Sequence, residues 1–137
     1  MTSILPIDKV DLVLPMCKEF FAKAKEPGKF NEEFFKKYWS AIYQRRAGAI
    51  LVTAGCTGML GFIFGVEMCT GDHFFSECFM YGNGALKLIS LMEEIGKESG
   101  VSIFYMNNIE FLRAGTIEKI YNRKGYFLKY NRFVKVV

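Results

Sequence analysis

The sequence predicts one mixed α/β domain, in which a sheet carries helices on its faces. Strand-like apolar runs alternate with segments whose apolar residues recur every three or four positions, in the order β-α-α-β-β-β-α-β-α-β. The chain has 137 residues, of which 51% are apolar and 16% aromatic, so it is long enough to bury a core without disulfides or metals. No linker or internal repeat interrupts the pattern. We therefore expect residues 1–137 to form a single domain.

A short first strand and two helices are predicted in the first third of the chain. Residues 3–7 are apolar enough for an edge strand. Residues 10–24 follow with apolar positions on one helix face, and Pro15 within them is expected to kink the helix or delay its start. Asn31 is the predicted N-cap of the second helix, residues 32–46. The predicted buried stripe of that helix consists of Phe34, Phe35, Tyr38, Trp39, Ile42 and Tyr43.

Residues 47–66 allow two interpretations because they carry no charge. As one helix, they are long enough to span a bilayer. As two buried strands, residues 49–53 and 59–66, they are joined by a turn at 54–58. The glycines in this window weaken a helix in water, and the sequence therefore favours the strand pair. The membrane span is the strongest competing interpretation.

The second half of the chain predicts a hairpin followed by alternating helices and strands. A turn at residues 70–72 joins the strand ending at residue 70 to the strand of residues 73–81. The apolar periodicity then predicts four further elements: the helix 85–99, the strand 101–106, the helix 116–123 and the strand 126–137.

The charge distribution argues against a nucleic-acid partner. The chain has 18 basic and 14 acidic residues, a net charge of +4. The basic residues are spread over three stretches and do not form the compact run that is typical of a nucleic-acid arm. We expect these charges to be solvated faces.

The cysteines indicate neither a disulfide framework nor a metal site. Cys17, Cys56, Cys69 and Cys78 form no Cys-x-x-Cys pair, and His73 is four residues from the nearest cysteine. We expect no metal, and thiols that stay reduced as in a cytoplasmic protein. Charged residues within the first fifteen also argue against a signal peptide.

One segment combines features that bind phosphate. Gly82, Asn83, Gly84 and Ala85 lie between a predicted strand and a predicted helix. A helix N-terminus offers free backbone N–H groups and the positive end of the helix dipole, and glycines let a phosphate approach them closely. The crossover to the next strand would place this site at the carboxyl ends of the strands. The alternative is an ordinary tight turn.

The order of the elements and four segments of the chain resemble the GNAT-type N-acetyltransferases. Residues 49–65 resemble the second and third strands of that family, and residues 76–81 resemble the fourth. Gly82-Asn-Gly84 with residues 86–94 resembles the acetyl-CoA pyrophosphate loop and its helix. Residues 117–126, with Tyr121 and Gly125, resemble the terminal apolar-Tyr-x-x-x-Gly-Phe signature, which is the most specific match.

This resemblance implies a fold, a co-substrate and a site. The fold is a mixed, mostly antiparallel sheet flanked by helices, with acetyl-CoA in a split between the fourth and fifth strands. Tyr121 would protonate the departing thiolate. The backbone of Phe79, Met80 and Tyr81 would hold the pantetheine, and the pyrophosphate would lie on Gly82, Asn83, Gly84 and Ala85. The alternative for Tyr121 is a core aromatic residue.

Glu77 is the candidate general base, because acetyl transfer needs a neutral amine and apolar neighbours raise the pKa of a carboxyl. Phe75 and Phe79 are expected to share its face, since residues two apart on a strand point the same way. The alternative for Glu77 is an ordinary exposed residue of the strand. His73 is the alternative candidate for the general base.

Departures from the family pattern leave other functions open. The loop has no Arg or Gln at the expected place and no preceding Pro, and the family's Asn before the last helix is replaced near Ala114. The first hypothesis is a cytoplasmic enzyme that acetylates a small-molecule or protein amine, with a homo-oligomer as one possible state. The second is a non-catalytic GNAT-like protein, resembling those of tailed bacteriophages, in host cytoplasm or virion. The third is a membrane protein spanning residues 47–66.

Overall fold

A computed structural model describes residues 1–107, 114–128 and 135–136 of the chain. Within them, five strands form one sheet in the order β1-β2-β3-β4-β5. Strands β1 to β4 pair antiparallel with one another, whereas β5 pairs parallel with β4. The strands are β1 Thr2–Ile4, β2 Gly48–Thr53, β3 Gly58–Val66, β4 His73–Gly82 and β5 Ile103–Tyr105. This is the mixed, mostly antiparallel sheet that the sequence predicts.

The described helices flank this sheet and begin where local signals place them. Pro15 lies in the first turn of α1, where its missing N–H costs no hydrogen bond, so the predicted delay of this helix is confirmed. The Asn31 side chain accepts a hydrogen bond of 2.9 Å from the backbone N–H of Phe34 and caps α2. The helices are α1 Leu14–Lys23, α2 Glu32–Gln44, α3 Leu88–Glu98 and α4 Ala114–Arg123, with 3₁₀ turns at Ile7–Leu12, Ala54–Cys56 and Ala85–Lys87.

The predicted buried stripe of α2 is partly wrong. Trp39 is buried, but Phe34 is 64% exposed and Tyr38 is 42% exposed. Their rings stack on each other with centroids 6.2 Å apart. Six aromatic and apolar residues cover more of the helix surface than one sheet contact can bury, so part of the set remains at the surface.

The strand pair, and not the membrane helix, describes residues 47–66. β2 and β3 pair antiparallel from Gly48 with Ile63 to Val52 with Met59, and the turn Ala54–Cys56 joins them. In the part of the chain that the structure describes, no helix has both the length and the apolar character needed to cross a bilayer. The alternative of a protein spanning residues 47–66 as a helix is therefore wrong.

Each face of the sheet carries its own apolar cluster, because successive residues of a strand point to opposite sides. On the side of α1 and α2, Ile50 and Val52 pack with Trp39 and Phe79. On the side of α3 and α4, the cluster includes Leu51, Leu60, Met80, Leu88, Ile89, Met92 and Tyr121. Each face of the described sheet is therefore packed against its own pair of helices.

A β-bulge in β4 changes the side on which its residues lie. Gly61 pairs with Phe79, but Phe62 pairs with Glu77, so Cys78 is an extra residue on β4. As a result Phe75 packs in the α3 cluster and Phe79 in the α1 and α2 cluster. The expectation that Phe75 and Phe79 share one face with Glu77 is therefore wrong, and only Phe75 lies on its side.

The predicted elements after β4 are only partly described. The predicted helix 85–99 is a 3₁₀ turn followed by α3, and the predicted strand 101–106 is β5. After α4, Gly125 has a left-handed φ of 91°, and the Tyr126 N–H donates to the Tyr121 carbonyl. Residues 126–128 and 135–136 are not in a strand, and the other positions of the predicted last strand, 129–134 and 137, lie outside the described residues.

Candidate active site

The candidate site lies where the parallel pairing of β4 and β5 ends. The last paired residues are Ser76 and Tyr105. Beyond this pair, Asn107 spans the two segments with its side chain: Nδ2 donates to the Glu77 backbone carbonyl at 2.9 Å and to Glu77 Oε2 at 2.7 Å. The contact brings the predicted base to the point where the two strands separate.

Glu77 is a buried carboxyl, not an exposed strand residue. Its exposure is 2%, and its Oε1 atom is buried without a hydrogen-bond partner among the described residues. Burial raises the pKa of Glu77 to about 7, although the hydrogen bonds from Asn107 act in the opposite direction. A carboxyl that titrates near neutral pH and has one unpaired oxygen is suited to receive a proton.

Tyr121 lies on α4, and its side chain approaches Asn107 and Glu77 from that helix. Its ring is buried in the α3 cluster, and its hydroxyl donates to the backbone carbonyl of Asn107 at 3.2 Å. Burial and the nearby Glu77 raise the pKa of Tyr121 above its ordinary value. The phenol is therefore both a core aromatic residue and a polar group beside the buried carboxyl.

Sequence reasoning missed Asn107 as a member of this site. The residue lies 30 positions from Glu77 and 14 from Tyr121, so no local pattern links the three. One signal was present: a polar residue directly after a buried strand lies at the end of the sheet where ligands bind.

His73, the other candidate base, is exposed at the first residue of β4, at the opposite end of that strand from the loop.

The predicted phosphate loop is exposed and rests on the β2–β3 turn. Gly82 and Gly84 have left-handed φ angles of 93° and 76°, which only glycine adopts without strain. Residues 82–84 are exposed and Ala85 is buried. The backbone N–H of Asn83 donates to the Thr57 carbonyl at 2.9 Å, so one of the four predicted amides is already paired within the fold.

The two loop glycines predict unequal effects on stability. A Cβ on Gly82 would come within 2.3 Å of the Thr57 carbonyl oxygen, whereas one on Gly84 would find only a methyl at 3.4 Å. We expect Gly82→Ala to lower the free energy of unfolding by about 3 kcal/mol through overlap and strain. Gly84→Ala is the matched control and should lose about 1 kcal/mol through strain alone. Urea unfolding of both variants measures this, and equal losses would contradict the loop's contact with the turn.

The residues before the loop divide between the two faces. Phe79 lies in the α1 and α2 cluster and Met80 in the α3 cluster. Tyr81 is half-buried, with the Phe20 ring 6.1 Å from its own and the Lys23 ammonium 5.4 Å from its ring centroid. Their backbone follows the bulge and leads directly into the exposed loop.

The cysteines and the other possible metal ligands among the described residues give no further candidate site. All four cysteines are free, and burial raises the pKa of Cys17 to about 12. In residues 1–107, 114–128 and 135–136, no three His, Cys, Asp or Glu side chains come together as metal ligands do. The polar groups that the structure brings together at the site are a carboxyl, an amide and a phenol.

Comparison with known proteins identifies the fold. No family model matches the sequence, and no curated protein matches it. Among solved structures, a predicted acetyltransferase with acetyl-CoA from Clostridium acetobutylicum has a TM-score of 0.77 at 9% identity, covering 100% of this chain and 95% of that one. The ribosomal-protein-alanine N-acetyltransferase from Brucella melitensis biovar Abortus 2308 has a TM-score of 0.70 at 19% identity, covering 100% and 99%.

A third similar structure is the glucosamine-6-phosphate N-acetyltransferase from Arabidopsis thaliana, with a TM-score of 0.70 at 12% identity, covering 99% of this chain and 97% of that one. At such low identities these similarities show the fold. The chain has the fold of the GNAT acetyltransferases, and the resemblance seen in the sequence is confirmed at that level.

Proposed function

We propose that this protein is an N-acetyltransferase that moves the acetyl group of acetyl-CoA to an amine by direct attack in a ternary complex. The observation that carries the proposal is Glu77 Oε1, which is buried and has no hydrogen-bond partner among the described residues, next to the end of the β4–β5 ladder. The other carboxylate oxygen, Oε2, accepts a hydrogen bond from the Asn107 side chain, and the Asn107 carbonyl accepts one from the hydroxyl of Tyr121. A buried polar atom without a partner is costly to the fold, which supports a role in chemistry.

The residues around the split fit acetyl-CoA as co-substrate. The exposed glycines of the loop 82–85 let a pyrophosphate approach the backbone, and Lys87 in the next turn is an exposed cation. The backbone of Phe79, Met80 and Tyr81 would hold the pantetheine along β4. When bound, acetyl-CoA supplies an activated thioester.

Glu77 would act as the general base. The amine nitrogen forms a bond to the thioester carbonyl carbon, and its surplus proton passes to Glu77 Oε1, directly or through water. Since its pKa is raised to about 7, a useful fraction of the carboxyl is ionised at neutral pH and can accept that proton.

Tyr121 would act as the general acid. As the carbon–sulfur bond breaks, the electron pair remains on sulfur and the phenol donates its proton to the thiolate. Because burial and Glu77 raise the pKa of Tyr121, the hydroxyl stays protonated at neutral pH and is always ready as a donor. The raised pKa also makes the phenol a weaker acid than a free tyrosine, whose pKa is about 10, so the proton moves only as negative charge develops on the sulfur.

The acceptor would be an amine, either a small molecule or a protein amine. Similar structures include one enzyme whose acceptor is glucosamine-6-phosphate and one that acts on a ribosomal-protein alanine. In this chain, the rings of Phe20, Phe35 and Trp39 surround Phe79 on the side of β4 that faces α1 and α2. The loop of residues 25–29 and the two N-terminal helices would shape the acceptor site.

One observation favours a second candidate, a GNAT-fold protein without catalysis. The loop has no Arg or Gln at the expected place, and the Asn83 amide is paired with the Thr57 carbonyl. Both features reduce the donors that a pyrophosphate can use.

Thermal unfolding with and without acetyl-CoA tests the proposal. At 100 times its dissociation constant, a ligand adds about 2.7 kcal/mol to the free energy of unfolding, and we expect the melting temperature to rise accordingly. Acetylpantetheine, which lacks the pyrophosphate, is the control and should give a smaller rise. No rise at millimolar acetyl-CoA, together with no product from a panel of amines, would favour the non-catalytic candidate.

A further inference from the structure

Asn107 is the residue that joins the two proposed catalytic groups. One side-chain nitrogen of Asn107 donates to both the carbonyl and Oε2 of Glu77, at 2.9 and 2.7 Å. Its backbone carbonyl accepts the hydroxyl of Tyr121 at 3.2 Å. Through these contacts a residue just after β5 is bonded to both strand β4 and helix α4.

The contact distinguishes the two oxygens of the Glu77 carboxyl. Oε2 is held by the Asn107 amide, while Oε1 is buried and has no partner among the described residues. A carboxylate oxygen that already accepts a strong hydrogen bond is the poorer proton acceptor of the two, since that bond stabilises its negative charge. Of the two oxygens, Oε1 is therefore the better proton acceptor as far as the described residues determine it.

We propose that Asn107 is a positioning residue for acetyl transfer: it fixes Glu77 through Oε2, leaves Oε1 to receive the acceptor's proton, and holds the Tyr121 hydroxyl through its own carbonyl until that hydroxyl turns to donate its proton to the departing thiolate. This inference rests on the proposed function. The inference extends the proposed function by naming the oxygen that accepts the proton and the residue that orients both proton-transfer groups.

The other titratable groups beside Glu77 do not compete for this role. Tyr121 faces it from α4, and Cys78 is its neighbour on β4. Burial and Glu77 raise the pKa of both groups, so both are neutral at pH 7 and neither supplies a charge. Among the described neighbours, the Asn107 amide is the group that favours the ionised form of Glu77 by a hydrogen bond.

The proposal is tested by the titration of Glu77, which needs no turnover. Carbon-13 NMR follows the side-chain carboxyl carbon of Glu77 from pH 5 to pH 9, with Glu77→Gln to assign the signal. Removal of a hydrogen bond to a charged group destabilises the ionised form, so Asn107→Ala should raise the midpoint by about one pH unit. Asn122→Ala, an exposed asparagine of α4, is the matched control and should leave the midpoint unchanged.

The wild-type protein gives a second readout if Asn107→Ala does not fold. The side-chain NH₂ signals of Asn107 should titrate with the same midpoint as the Glu77 carboxyl, because they donate to it. If the Asn107 amide does not stabilise the ionised carboxylate, the midpoint of Glu77 in Asn107→Ala will equal that of the wild type. That result, or Asn107 NH₂ signals that ignore the ionisation of Glu77, overturns the proposal.

Kinetics separate this inference from the proposed function. If the wild type transfers acetyl groups, Asn107→Ala should lower kcat at least tenfold with an unchanged KM for acetyl-CoA, and the acidic limb of its pH profile should move with the NMR midpoint. An unmoved limb overturns the positioning role even in an active enzyme. If the midpoint of Glu77 moves in Asn107→Ala but the wild type acetylates no amine, the proposed function is overturned, while the hydrogen bond from Asn107 to Glu77 stands.

Discussion

Glu77→Gln should lower kcat by about 100-fold or more and, at the same time, make the folded protein more stable above pH 7. Glutamine has nearly the shape of glutamate and can still accept a hydrogen bond from the Asn107 amide. It cannot accept a proton, however, and general base catalysis typically contributes about 10²- to 10⁴-fold. The acidic limb of the pH profile, which we expect near pH 7, should disappear with it.

The gain in stability follows from the direction of the pKa shift. The pKa of Glu77 is raised in the folded state, from 4.5 to about 7, so its favourable contribution is present below pH 4.5 and is lost as the pH rises through 7. That difference, at about 1.4 kcal/mol for each pH unit, corresponds to about 3 kcal/mol at pH 8. Glutamine carries no such cost, because it does not ionise.

Urea unfolding at pH 5 and pH 8 measures this contribution. The two proteins should be nearly equal in stability at pH 5 and should differ at pH 8 in favour of Glu77→Gln. The matched control is Glu94→Gln, which removes an exposed carboxyl from α3 and should change neither stability nor kcat. A Glu77→Gln variant that is less stable than the wild type at pH 8 would mean that the carboxylate is favourably paired there.

Local signals made the fold and the loop predictable. Asn31 before an apolar stripe specifies a helix start, and Gly82 and Gly84 between a strand and a helix specify a turn with left-handed residues. The glycines within residues 47–66 likewise favoured two strands joined by a turn over one long helix. Each of these conclusions depends on residues within a few positions of one another.

The features that require contacts between distant segments were not predictable. The bulge at Cys78 depends on how β4 pairs with β3, and strand alternation alone placed Phe79 beside Glu77. The burial of Glu77 and its link to Asn107 depend on how β5 ends against β4. A sequence pattern gives the face of an element, whereas the charge state of Glu77 is determined by what covers that face.

Tyr121→Phe should lower kcat by about 100-fold while leaving the binding of acetyl-CoA unchanged. The substitution removes only the hydroxyl, so the buried ring keeps its place in the α3 cluster, and the thiolate must then leave without a proton donor. The Asn107 carbonyl loses its partner, which should cost about 1 kcal/mol of stability. Steady-state kinetics and the melting-temperature rise with acetyl-CoA separate these effects.

Tyr126→Phe is the matched control for that experiment. The Tyr126 ring lies 5.7 Å from that of Tyr121, and its hydroxyl donates to Glu93 at 3.1 Å. Its loss removes an equivalent phenol from the same cluster without touching Asn107, so kcat should stay within about twofold of the wild type. Equal losses of kcat in both variants would assign the effect to packing around α4, and the general acid would then have to be a group other than Tyr121.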